Sequence, residues 1–283
     1  MELTEIAASF KIRASGAHEI MAGNIGLTEK QEIRIKELSE RDSGSGKPLT
    51  VNMKMELAAL QNLAKNPELP QGAKTYCKNW LKEKLYGRRT EIKSKYINKG
   101  NVCEEDGFTV MALQLNLGMV YKNTERKSND YAEGECDLSL SRVVYDNKCS
   151  WSLDTFPMFE TECPDPKYQS QLDVYAWLWL STEMVLCYTL VNATYEMVQD
   201  AVKWETEPDR IYKRIEEMIF TKKEFDELCL EFCPLATRDT FIEIPEEKRI
   251  KPFYFKPDPV FIEDLKKRVV MCRTYINSLI NNK

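Results

Sequence analysis

Histidine is almost missing from this chain. His18 is the only one in 283 residues, so a mechanism that needs an imidazole base has a single candidate. Its setting reads as a helix residue beside a substrate at most. An excess of positive charge is missing as well: 40 Lys and Arg stand against 45 Asp and Glu, for a net charge of −5. Phosphate binding draws on basic side chains, so this balance argues against a general nucleic-acid coat. Long apolar runs are absent. The richest stretch, between Asp173 and Glu183, holds nine uncharged residues, where a membrane span needs about 20. A buried helix followed by a buried strand accounts for it. The opening MELTEIAASFKIRAS has neither a basic nor an apolar leader region. The nine cysteines form no even framework, and Cys229 and Cys233 read as buried thiols on a helix. These features together predict a protein of the reducing cytoplasm without a membrane segment.

What is present centres on Gly134 to Trp151, GECDLSLSRVVYDNKCSW. Glu135–Leu140 ends in an alternating run, and Val143–Lys148 is rich in β-branched and aromatic residues; both read as strands. Ser141 and Arg142 leave room for a two-residue turn, although they are poor residues for one. With that turn, Asp137 lies opposite Asp146, and Asp146 and Lys148 point to the same side. Two close carboxylates repel each other unless a cation lies between them. A hard divalent ion such as magnesium, which takes oxygen ligands, suits such a pair. The plain alternative is an exposed charged hairpin. The same acid-x-lysine spacing recurs at Glu91-Lys93, Glu125-Lys127, Asp165-Lys167, Glu246-Lys248 and Asp264-Lys266, where it reads as solvated charge.

The pair of acids followed by lysine resembles the PD-(D/E)XK nuclease superfamily, with Cys136 where a proline usually precedes the first acid. Three flanking features extend the likeness to its RecB-like and lambda-exonuclease-like (YqaJ-like viral recombinase) branch. Gly100 and Glu104 form a glycine-plus-glutamate step that opens a helix, with Glu105 as a substitute. Lys148-Cys149 resembles a lysine-cysteine step of that branch. Gln171 and Tyr175, four apart on one helix face, resemble its Q-x-x-x-Y motif, with Trp177 in a tryptophan position. The resemblance covers roughly residues 100–192. It implies an α/β fold with a mixed central β-sheet flanked by helices, a restriction-endonuclease-like core carrying helical N- and C-terminal additions.

It also implies phosphodiester hydrolysis with Mg2+, for which Mn2+ would substitute. Asp137, Asp146 and the backbone carbonyl of Asn147 would bind one ion, with Glu104 bound through water or sharing a second. Lys148 would orient water and Gln171 the phosphate. The expected activity is that of a phage exonuclease on double-stranded DNA used in recombination, with a single-strand-annealing recombinase as partner and a ring-shaped homo-oligomer as assembly. The alternatives are a restriction-type or junction-resolving endonuclease, and a non-catalytic DNA-binding protein with a decayed core.

The rest of the chain reads as support. Residues 8–23 start extended and continue as a helix that Ser15 could cap. Helices are expected over 28–41, 51–65, 168–180, 195–218, 221–232 and 259–281, and strands at 119–121, 184–191 and 249–255. Residues 74–99 carry nine basic residues against Glu83 and Glu91. Lys74, Lys78 and Lys82 recur every four residues on one helix face, which is either a DNA-facing surface or an ordinary solvated one. Arg13 and Ser15 resemble the segment that binds a terminal 5′-phosphate in lambda-like enzymes; the alternative is a surface ion pair and a helix cap. No linker marks a second domain. The chain is read as one domain in three parts: 1–99 with the basic helix, 100–192 as the core and 193–283 as a helical end.

Overall fold

A computed structural model of the chain describes residues 3–44, 46–89, 99–100, 102–234 and 240–281. The chain divides into two compact units. The first takes the residues up to Arg89 and those from Val260 onward, and the second takes Thr90–Pro259. This division cuts across the three-part reading of the sequence, because the final helix joins the N-terminal residues. Among the described residues no helix is long and apolar enough to cross a membrane.

The first unit holds α1 (Leu3–Ala8), the two-residue extended stretch β1 (Ile12–Arg13) and a tight turn at Ala14–Gly16 leading into α2 (Ala17–Met21). Three longer helices follow: α3 (Glu29–Asp42), α4 (Val51–Lys65) and α5 (Gln71–Tyr86). The starts of α3 and α4 have a local cause. Thr28 and Gln31 close a capping box on α3, and the Thr50 hydroxyl accepts from the Met53 amide on α4. Ser15 does not cap α2. The cap position falls on Gly16, which has no side chain to offer, and Ser15 sits exposed in the turn before it. Gly16 is needed there because a Cβ would lie 2.6 Å from the Tyr76 ring. The long α11 (Pro259–Asn281) completes this unit. Its buried Arg268 donates to the carbonyls of Ile20 (3.1 Å) and Gly23 (2.6 Å), at and just beyond the C-terminal end of α2. Its Arg273 donates to Phe10 O, whose ring packs edge-on against Tyr76 and Trp80.

The second unit is built on a four-stranded sheet in the order β4 (Leu138–Leu140), β5 (Val143–Cys149), β6 (Glu183–Thr189), β7 (Ile250–Phe255). β4 and β7 run antiparallel to their neighbours, and β5 and β6 run parallel. A parallel pair needs a crossover, and α7 (Pro166–Trp179) provides it. On one face of the sheet, α6 (Glu104–Gln114) packs Phe108 and Met111 against Leu138, Tyr145, Val185 and Cys187. Gly107 lets α6 come this close: a Cβ there would meet Asn147 Nδ2 at 2.4 Å and Cys149 Sγ at 2.5 Å. The mixed sheet between helices is the α/β architecture expected from the sequence.

Two expectations fail here. Residues 119–121 form no strand: Met119 and Tyr121 are 89% and 79% exposed, and no neighbouring strand pairs with them. The charged stretch after them instead contains a hairpin of β2 (Lys127–Ser128) and β3 (Ala132–Gly134). Its turn is shaped by the Asn129 side chain, which accepts from the amides of Tyr131 and Ala132. Residues 195–218 form not one helix but two, α8 (Tyr195–Val202) and α9 (Pro208–Glu216), because Pro208 cannot continue a helix and starts one instead. With α10 (Lys222–Phe232) they enclose a separate apolar cluster around Val198, Ile215 and Phe225.

Candidate active site

Ser141 and Arg142 take positive φ values of 50° and 65°, the pattern of a mirror-image two-residue hairpin turn. The sequence disfavours it, and the fold holds it: Arg142 O accepts from the amide of Thr182, beside the start of β6. The turn sets the register Leu140↔Val143 and Leu138↔Tyr145, which puts Asp137 across from Asp146. Tyr145, Asn147 and Cys149 then point towards α6, and Val144, Asp146 and Lys148 towards α7.

Asp137, Asp146 and Asn147 are all buried. Asp137 Oδ2 accepts the Asn147 amide at 2.6 Å, so the carboxylate replaces a ladder bond just before β4 begins. Burial, reinforced by the negative charge of Asp146, pushes Asp137 up to about 7. The Lys148 ammonium lies 2.5 Å from Asp146 Oδ2. The contact is ionic; that oxygen accepts no well-formed hydrogen bond. Burial alone would lower the Lys148 pKa, but Asp146 and Asp137 outweigh it and hold the ammonium firmly protonated. The Lys148 ammonium also lies over the Tyr168 ring, 5.1 Å from Nζ to the ring centre.

α7 brings Gln171 and Tyr175 to the same face. The Gln171 amide donates to the Tyr175 hydroxyl at 2.7 Å. Burial first, and then the charge of Asp146, raises the Tyr175 pKa, so the phenol stays neutral. Trp177 packs instead on Tyr131, with ring centres 6.2 Å apart. Glu104 opens α6 and pairs with Lys122 at 2.6 Å, and its charge still reaches Asp137. Among the described residues no three His, Cys, Asp or Glu side chains gather as a metal-holding group.

The remaining candidates, Arg13, Ser15 and the α5 lysines, lie in the first unit. Lys74, Lys78 and Lys82 stand on α5. Lys78 and Lys82 are exposed, whereas Lys74 is half-buried and paired with Glu68 at 2.5 Å. Lys93 and Lys95 lie outside the described residues. Lys99 does not belong to a basic surface: it is 1% exposed and donates to Trp151 O, and burial lowers its pKa to about 8. Arg13 lays both guanidinium NH2 groups on the Glu83 carboxylate at 3.0 and 2.6 Å.

Two residues at the site had no signal in the sequence. Asn123 donates its amide to Asp137 O (2.7 Å) and its side chain to Cys136 O (2.9 Å), which ties the preceding loop to the acid. Lys122 stands next to it. Both fall in a charged stretch that reads only as loop.

No protein-family model matches the sequence, and no curated protein sequence does. Solved structures do match in fold. The crystal structure of a phage related exonuclease from Haemophilus somnus 129PT aligns with a TM-score of 0.63 at 21% identity, covering 97% of this chain and 96% of that one. An alkaline exonuclease from Laribacter hongkongensis aligns with a TM-score of 0.53 at 10% identity, over 100% of this chain and 95% of that one. The same enzyme in complex with dAMP aligns at 0.52. Across nearly its whole length, this chain has the fold of these proteins.

Proposed function

We propose that the chain is a divalent-metal-dependent deoxyribonuclease, an exonuclease on double-stranded DNA. The observation that carries this reading is the hairpin itself: Asp137 across from Asp146 with Lys148 beside them, in a fold shared with crystallised exonucleases. The residues fit a hard cation. Asp146 Oδ2 is buried in an ion pair with the Lys148 ammonium that satisfies no further hydrogen bond. Asp137 is buried, with the negative charge of Asp146 acting on it. The Asn147 carbonyl leaves its strand on the same side as the amide that reaches Asp137. All are oxygen donors, which suits Mg2+ or Mn2+. A bound ion would supply Lewis acidity and an activated water.

The protein does the rest. The Lys148 ammonium, held charged by two carboxylates, orients the attacking water and offsets negative charge as it develops on the phosphate. Gln171, with its amide fixed by Tyr175, positions the phosphate. The complex of the Laribacter enzyme with dAMP supports a nucleotide as ligand. The lambda-like resemblance adds an annealing recombinase as partner, a homo-oligomer and end recognition by Arg13 and Ser15. In that last role a 5′-phosphate would have to displace Glu83.

One digestion experiment tests the whole reading: linear and covalently closed duplexes, with 5′-phosphate or 5′-hydroxyl ends, in Mg2+ or EDTA. The expected result is loss of linear DNA to mononucleotides, faster from phosphate ends, with circles intact and no reaction in EDTA. Cut circles would favour the endonuclease alternative, and activity in EDTA would exclude the proposal.

A further inference from the structure

The lysine beside Glu104 limits what that carboxylate can hold. Lys122 Nζ lies 2.6 Å from Glu104 Oε2. The lysine is not a loose surface side chain. Its neighbour Asn123 fixes the local backbone to Asp137 O and Cys136 O, so Lys122 is carried on the same support as the first acid. Each of the three acids has its own partner, an ammonium or a backbone amide. Asp146 has Lys148, Glu104 has Lys122, and Asp137 has the Asn147 amide.

We propose that this site takes a single divalent ion, on Asp137 and Asp146, and that the Lys122 ammonium, held by Glu104, serves as the second positive charge facing the phosphate. The inference rests on the metal-dependent nuclease reading. Charge counting supports it. Asp137, Asp146 and Glu104 against Lys148 and Lys122 leave one net negative charge. One divalent ion makes the site +1, which a phosphodiester of charge −1 neutralises. A second ion would make it +3, with Glu104 already occupied. In most two-ion sites a second cation steadies the leaving oxygen; a fixed ammonium delivers charge to the same reaction as a point donor. The pair is also expendable for folding, since Glu104 and Lys122 are 42% and 32% exposed and exposed ion pairs add little stability.

The test is manganese binding to the full chain without DNA, counted by calorimetry and by electron paramagnetic resonance. Wild type should bind one Mn2+. Glu104→Gln should also bind one, with affinity within about threefold, because Glu104 is not a ligand of that ion. Lys122→Met should free Glu104 and bind two, and Lys122→Arg, which keeps the charge, should stay at one. Two ions in wild type, a tenfold or greater loss of affinity in Glu104→Gln, or a single ion in Lys122→Met would each overturn the inference and leave the nuclease reading standing. No ion in wild type would overturn both.

Discussion

Asp137 and Asp146 share one wall of a hairpin, and the arrangement is comfortable only with positive charge at hand. Lys148 gives part of it, and a divalent ion is proposed to give the rest. The two kinds of help separate by mutation. Asp146→Asn replaces an anionic ligand with a neutral amide, so Mn2+ affinity and turnover should fall together. Lys148→Ala removes charge stabilisation and not a ligand. Metal affinity should persist while turnover drops by roughly 10²–10³-fold, the usual cost of one preorganised donor. Calorimetry beside single-turnover kinetics distinguishes them; near-normal turnover in Lys148→Ala would remove that lysine from the mechanism. At this scale the readable residues were those in periodic patterns. The facing acids follow from strand alternation and a two-residue spacer, and the Gln171–Tyr175 pair from a spacing of four. Lys122 and Asn123 were unreadable because they are placed by tertiary hydrogen bonds from an irregular segment. Lys99 is not recognisable as buried, because a lysine in a charged run gives no sign that Trp151 and Phe220 will enclose it.

Among the elements, the β4–β5 turn and α7 each carry a measurable cost. Ser141 and Arg142 occupy the left-handed region, at about 1–2 kcal/mol per residue for L side chains. Asn-Gly suits this turn best. Ser141→Asn with Arg142→Gly should therefore raise the thermal midpoint by about 2–6 °C; calorimetric melting gives the answer, and a lowered midpoint would mean that the arginine side chain contributes more than its backbone costs. In α7, Asp173 is buried and accepts the Asp258 amide at 2.8 Å. Burial raises its pKa from 3.8 to about 6. The folded state therefore holds this proton more tightly than the unfolded chain does. The stabilisation from that group is complete below about pH 4 and is lost as pH rises through 6. Asp173→Asn keeps the acceptor and removes the ionisation. It should be more stable than wild type by about 1–2 kcal/mol at pH 8 and equal to it near pH 4, as read by urea titrations at the two values. Helices with strong local signals, α4 and α11, begin and end where the sequence places them. The expected strand at 119–121 fails because apolar residues without a partner strand have nothing to pair with.

For the molecule as a whole, the uneven charge is the feature that bears on the proposed binding of DNA. Lys78 and Lys82 are the free members of the α5 row, while Lys74 is engaged by Glu68. Lys78→Gln with Lys82→Gln should lower the slope of log affinity against log salt by about 1.8 for duplex DNA, about 0.9 per lost phosphate contact. Adding Lys74→Gln should change it little. An unchanged slope in filter-binding titrations would make this face ordinary solvated surface. The pairing of the final helix with the N-terminal residues was not legible, because no local pattern encodes which distant partner an amphipathic helix will meet. That pairing also sets an order of events during synthesis. Ile20, Gly23 and Phe10 accept their bonds from Arg268 and Arg273, which are translated only after the 170 residues of Thr90–Pro259. At about 5–20 residues per second, roughly 10–30 s pass in which the early helices have emerged and their partner does not yet exist. The sheet-bearing unit is contiguous and can close on itself during that interval. Of the two units, the one begun earlier is therefore the last to be finished, and its apolar faces stay uncovered on the nascent chain for longest.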